Sequence, residues 1–201
     1  MATQVDPLEI PDAALLSAAA SGDLDRVTSA LAAGARVEAR DAYGRSALLL
    51  AVIGDHLDVA RLLVGRGANP NAVDDRMETP WLTTGVTGSV EMLEILLPTG
   101  PDMTIMNRYG GVAIIPASER GHVEYVRRVA STGIDVDHIN DLGWTALLEA
   151  VILGDGSTRY QEIVRILLAS GAARHLADRE GVTALQHAQS FGYHDLAAVL
   201  A

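Results

Sequence analysis

Cysteine and lysine are both missing from this 201-residue chain, and aromatics are scarce: one Phe, two Trp and five Tyr. Without cysteine there are no disulfides and no thiolate metal sites, and the redox compartment is left open. Aromatics make up 4 % of the chain and hydrophobic residues 49 %, so the interior must be built from Ala, Leu, Val and Ile. Small aliphatic side chains suit thin, closely stacked helices better than a thick sandwich or barrel. Arginine supplies all 15 cations, outnumbered by 26 acids, for a net charge of −11. We read the choice of arginine mainly as composition bias, although guanidinium groups suit bidentate contacts at an interface. A phosphate-binding surface needs a positive field, so the charge argues against nucleic acid and anionic membranes as partners. No apolar run approaches the roughly 18 residues of a membrane helix. Met1–Pro7 lack the basic start and apolar stretch of a secretion signal, and a soluble cytoplasmic protein is expected.

Motifs of catalysis are missing too. There is no glycine-rich phosphate loop, no Gly-x-Ser-x-Gly elbow and no His-Glu-x-x-His. Gly154-Asp155-Gly156-Ser157 has the look of a small ion loop, but lacks the spaced carboxylates of a calcium site and the Gly-Lys-Ser/Thr of a nucleotide site. His138 and His175 fall in successive inter-repeat loops, yet two histidines without a third ligand rarely hold a metal. His56 and His122 share one repeat position, and His187 and His194 read as ordinary residues of the last unit. The acids are scattered, as on a solvated surface. No enzyme activity, metal or cofactor is expected.

What the chain does have is internal repetition. Gly34, Gly67, Gly100, Gly133 and Gly171 are spaced by 33, 33, 33 and 38 residues. Leu15, Leu48, Trp81, Ile114, Leu147 and Leu185 step by 33 four times and then by 38. Both series place a five-residue insertion in the same unit. Within a unit the pattern is helix, tight turn, helix, loop. In the second, Ser46 stands as N-cap and Leu48, Ala51 and Val52 form one apolar face. Gly54-Asp55 breaks that helix, Leu57, Ala60, Leu63 and Val64 recur at helical spacing, and Gly67 ends the second helix. Neither helix reaches the roughly 12–15 residues at which an isolated helix becomes marginally stable. Each unit must therefore lean on its neighbours, which is the physics of a solenoid.

The openings Asp41-Ala-Tyr-Gly44-Arg-Ser46-Ala-Leu48, Glu78-Thr79-Pro80-Trp81, Gly143-Trp144-Thr145-Ala146-Leu147 and Gly181-Val-Thr183-Ala-Leu185 resemble the ankyrin phrase Asp-x-x-Gly-x-Thr-Pro-Leu. Gly121-His122 resembles the ankyrin inter-helix turn, and Gly67-Ala68-Asn69-Pro70-Asn71 the close of the repeat. A 34-residue tetratricopeptide array competes less well, because the period is 33. The resemblance implies an all-α ankyrin-repeat solenoid of stacked helix-turn-helix units with β-hairpin or loop connections. The expected division is a tail over 1–7, then one repeat domain over 8–201. Its six units are 8–40 (N-terminal cap), 41–73, 74–106, 107–139, 140–177 (with the insertion) and 178–201 (C-terminal cap).

Departures from the pattern carry expectations of their own. Met77 stands where other units have Gly44, Gly110, Gly143 and Gly181, and a left-handed backbone there strains it. Gly85, Pro98 and Pro116 fall within helices, where glycine costs about 1 and an interior proline about 3 kcal/mol. Trp81 replaces a buried leucine, so the core widens or the ring tips outward. The insertion, roughly Leu153 to Arg159, is expected to extend the turn between two helices, with Tyr160 anchoring its return.

In ankyrin proteins the hairpin tips and first helices line a groove that binds other proteins. Carried over, the resemblance puts Tyr43, Arg45, Arg76, Glu78, Arg108, Tyr109, Asp141, Leu142, Trp144 and Arg179 at the tips. It puts Ile53, Val86, Glu119, Arg120, Ile152, Leu153 and Phe191 at the ends of the first helices. Tyr, Trp and Arg are the side chains that most often anchor interfaces, so Trp144, with Tyr109 beside it, is the first candidate for a hot spot. The expected function is a non-catalytic, monomeric interaction module whose partner is a protein, basic or of mixed charge. Two alternatives stand beside it: a ligand, metal or enzymatic site at the 153–159 insertion, and a structural or self-associating repeat protein.

Overall fold

The computed structural model describes residues 9–201, and the expected tail over 1–7 lies outside the described residues. Two compact units follow from the packing, one ending at Asp102 and the other beginning at Met103. In the first, α1 (Glu9–Ser21), α3 (Ala47–Ile53) and α5 (Pro80–Thr87) pack in succession. Behind them α2 (Leu24–Ala32), α4 (Leu57–Gly65) and α6 (Val90–Leu96) form a second row, and a 3-10 turn over Leu97–Thr99 ends it. The second unit repeats the plan: α7 (Ile114–Glu119), α9 (Ala146–Ile152) and α11 (Ala184–Ser190) in front, α8 (Val123–Ala130), α10 (Thr158–Ala169) and α12 (His194–Leu200) behind.

Helices this short hold together through caps and burial. Ser46, Thr79, Thr145 and Thr183 each accept an N–H from the third residue of the helix they open, at 3.0–3.4 Å. Such caps contribute about 1 kcal/mol apiece. Six of the seven residues of α3 are buried, so that helix is apolar all round and packed on every side. Fully burying one leucine such as Leu48 contributes about 1.5–3 kcal/mol.

Between helix pairs the chain makes tight hairpins with a shared clasp. Asp41, Asp74, Asn107, Asn140 and Asp178 each use one side-chain oxygen, Oδ1, to accept two backbone N–H groups, two and four residues on. Asp and Asn bond their own backbone two residues on in this way more strongly than Ser or Thr do. The hairpins hold little sheet: among the described residues the isolated antiparallel bridges are Arg40 with Ser46 and Ala177 with Thr183.

The departures resolve individually. Met77 has φ 61°, in line with 73°, 72°, 84° and 79° at the corresponding glycines. The ring of Trp81 is wholly buried, so the core accommodates it. Gly85 is buried within α5, and Pro98 falls in the 3-10 turn that follows α6. Pro116 is the third residue of α7, not an interior one; its missing N–H would have had no partner in that first turn, so the large interior penalty does not apply. The insertion is shared between loop and helix. Five residues separate α9 from α10, and α10 runs for 12 residues where α4 has 9. Tyr160 Oη donates to Glu119 O at 2.9 Å and Tyr193 Oη to Gly154 O at 3.2 Å, which pins the loop from both sides.

Candidate functional site

The candidate residues of the first unit are spread along its hairpin tips and helix ends. Tyr43 and Ile53 are exposed, and the Arg45 guanidinium lies 5.1 Å from the Tyr43 ring centre while Nε donates to Asp41 Oδ2 at 2.8 Å. Burial pushes the Asp41 carboxyl up, but Arg45, through its side chain and backbone N–H, and the Tyr43 N–H together outweigh it and hold the carboxyl below the usual range. Arg76 is exposed, whereas Glu78 and Val86 are half-buried.

In the second unit a cleft of about 360 Å³ opens between the hairpins and the first helices. It gathers Arg108, Tyr109, Glu119, Arg120, Leu142 and Leu153 of the expected set. Tyr109, Leu142 and Leu153 are about half exposed, at 53, 50 and 48 %, which is unusual for large apolar side chains lying together. Arg108 stacks on the Tyr109 ring at 4.7 Å and donates to its hydroxyl at 2.7 Å. Trp144 is half-buried and does not line the cleft; Ile152 is half-buried as well. Asp141 is exposed, with its backbone N–H donating to Tyr109 O at 2.9 Å and its carbonyl accepting from the Arg179 guanidinium. Arg179 thus straps one hairpin to the next, with its stem against Gly143. Phe191 is exposed beside Tyr193, their ring centres 5.5 Å apart.

Sequence reasoning missed the floor of this cleft. Glu149, on α9, is only 6 % exposed. Its Oε1 accepts the Asn140 side-chain amide at 2.7 Å. Burial first, then the nearby charge of Glu119, push its pKa up to about 7, while the Asn140 hydrogen bond pulls the other way. Ile115 and Pro116 of α7 complete the apolar wall.

The alternative sites gather less. His138 Nε2 bonds Gly110 O at 2.6 Å, and His175 is exposed. Among the described residues no group of three or more His, Cys, Asp or Glu is placed to hold a metal ion. Among them also, no helix is long and apolar enough to cross a membrane.

Short helix pairs, phased at 33 residues and linked by clasped hairpins, define a helical-repeat protein. The chain belongs to the ankyrin-repeat family: the family model "Ankyrin repeats (3 copies)" matches residues 4–74 and 84–175. It is 38 % identical to the putative ankyrin repeat protein YahD of Escherichia coli K12 over 186 residues, covering 92 % of both chains. An ankyrin repeat domain from Acinetobacter baumannii AYE superposes with a TM-score of 0.88 at 44 % identity, over 92 % of this chain and 95 % of that one. Mouse cyclin-dependent kinase 4 inhibitor B is 32 % identical over 55 % of this chain and 85 % of its own length. The expected all-α ankyrin-repeat class therefore holds. Ankyrin repeats are protein–protein interaction modules, typically binding scaffolds rather than enzymes.

Proposed function

We propose that this chain is a non-catalytic scaffold that holds a partner protein against its hairpin tips and first helices, with the second unit's cleft as the strongest point. The observation that carries this reading is the cleft itself, where Tyr109, Leu142 and Leu153 stand exposed around a recess. Aromatic and arginine side chains around a pocket are the usual centre of binding energy. A relative named as an inhibitor of a kinase fits the same manner of working. The net charge of −11 favours a partner with a basic surface. The reading keeps residues 8–201 as one repeat domain of six units, acting as a cytoplasmic monomer without cofactor, nucleic acid or membrane.

The test uses the full chain as bait in a lysate of its source organism, beside a Tyr109→Ala, Leu142→Ala double variant. Both residues are exposed, so the variant keeps its fold, checked by circular dichroism. Retention of the proteins held by the unaltered chain should fall at least about tenfold, the scale of losing two interface anchors. Unchanged retention would remove this face from the function.

A further inference from the structure

The fifth repeat keeps a carboxylate inside the molecule that its own neighbours do not neutralise. Among the described residues the hydrogen bond to Glu149 comes from the neutral amide of Asn140, on Oε1, so Oε2 has no protein donor and is open to the cleft that Glu149 lines. Glu119, half-buried at the end of α7, adds a second carboxylate to the same cleft. Arginines are close but otherwise disposed. Arg108 is engaged with the Tyr109 ring and hydroxyl, Arg120 is exposed, and neither forms an ion pair with Glu119 or Glu149 among the described residues. A buried carboxylate short of donors and facing a like charge is costly, and a cation with N–H groups relieves both deficits. The walls above it are apolar: Ile115, Pro116, Leu142 and Leu153. An acidic floor under apolar walls matches a side chain with a long aliphatic stem and a cationic head.

We propose that this cleft receives one cationic side chain, arginine or lysine, of a partner protein, its head on Glu149 and Glu119 and its stem along Pro116, Leu142 and Leu153. The inference rests on the reading of this face as the partner-binding one and names the chemistry it selects. It also gives a reason for the acid at position 149, where the three preceding repeats carry the uncharged Leu50, Thr83 and Pro116. A guanidinium or ammonium group supplies several donors at once, so Oε2 and the Glu119 carboxylate are satisfied together.

The probe is Nα-acetyl-L-arginine methylamide, titrated into the isotope-labelled full chain and followed by the backbone amides of Leu142, Glu149 and Leu153. The uncharged Nα-acetyl-L-norleucine methylamide serves as control. Saturable shifts with the arginine amide are expected, with the norleucine amide at least about tenfold weaker and Glu149→Gln binding the arginine amide at least about fivefold more weakly. Equal response to both amides, no saturable response, or full affinity in Glu149→Gln each overturns the proposal. The comparison of the two amides on the unaltered chain stands even if the variant misfolds. If the arginine amide fails to bind while the Tyr109, Leu142 double variant still loses its captured proteins, the scaffold reading survives and the cation site falls.

Discussion

Two successive repeats of the second unit build the same bridge from opposite chemistry. Asn140 and Asp178 occupy equivalent hairpin positions, and each spends Oδ1 on two backbone N–H groups. Each then reaches nine residues on to the first helix with its remaining atom. Asn140 Nδ2 donates to Glu149 Oε1 at 2.7 Å, and Asp178 Oδ2 meets His187 Nε2 at 2.6 Å. In the last repeat the backbone N–H of Val182 and then the imidazole hold the Asp178 carboxyl below its usual range, against its own burial. In the fifth the acid has moved to the helix, where burial and Glu119 raise it. The clasp sets the backbone, and the second atom alone sets the electrostatics. A repeat fold can thus carry a charge-matched pair in one copy and an acid without a cationic partner in the next, without altering its frame.

The largest test of this contrast is at Glu149. Between the ordinary glutamate pKa of 4.5 and about 7 the folded chain holds a proton that the unfolded chain has released. Stability therefore falls as pH rises through that window and levels off above it. Glu149→Gln keeps the acceptor for Asn140 and removes the titration. It should be more stable than the unaltered chain by about 3 kcal/mol at pH 8, with the gap closing near pH 5. Urea unfolding at the two pH values measures this, and parallel stabilities would contradict the upward push of burial and Glu119 on this acid. Asp178→Ala should act the other way, lowering stability near neutrality because two backbone N–H groups and His187 lose an acceptor. Its folded pKa is depressed, so this stabilisation is present above the ordinary aspartate value and is lost as pH falls below it, through the lower folded pKa. A penalty undiminished in acid would show that packing, and not the charge, was lost.

The frame was legible because a 33-residue phase has few physical solutions, and its apolar markers Leu48, Trp81, Ile114 and Leu147 are all buried. The exposed half of the cleft was legible as well, since Tyr109, Leu142 and Leu153 sit at tips and helix ends. Its floor was not. Glu149 lies in the string Leu147-Leu148-Glu149-Ala150, where an acid reads as a helix exterior, and only tertiary packing puts it inside. A signal did exist: the three preceding repeats bury the uncharged Leu50, Thr83 and Pro116 there, and Asn140, like Asn107, stands where Asp41, Asp74 and Asp178 stand elsewhere. An amide at the clasp supplies a donor, and of the two repeats that carry one only the fifth has a side-chain acceptor nine residues on, Glu149 and not Pro116. The insertion reads as turn in the sequence because Gly154 and Gly156 break helices, whereas Thr158-Arg159-Tyr160 have no such veto and extend α10.

The smallest test compares hairpin tips. Four of them place glycine at φ 72° to 84°, and the third places Met77 at 61°. A side chain there crowds Cβ against the following carbonyl, a penalty of about 1–2 kcal/mol. Met77 is 50 % exposed, so removing its side chain gives up little packing. Glycine relieves the strain but frees the unfolded chain, which offsets about half of the gain. Met77→Gly should therefore stabilise by roughly 0.5–1 kcal/mol. Asp55, the other non-glycine residue with positive φ among the described residues, at 53°, should gain less on the same replacement, because aspartate tolerates that region through local hydrogen bonding. The two variants together separate backbone strain from side-chain chemistry. If Asp55→Gly gains as much as Met77→Gly in thermal unfolding, the strain is a property of the turn and not of the residue that occupies it.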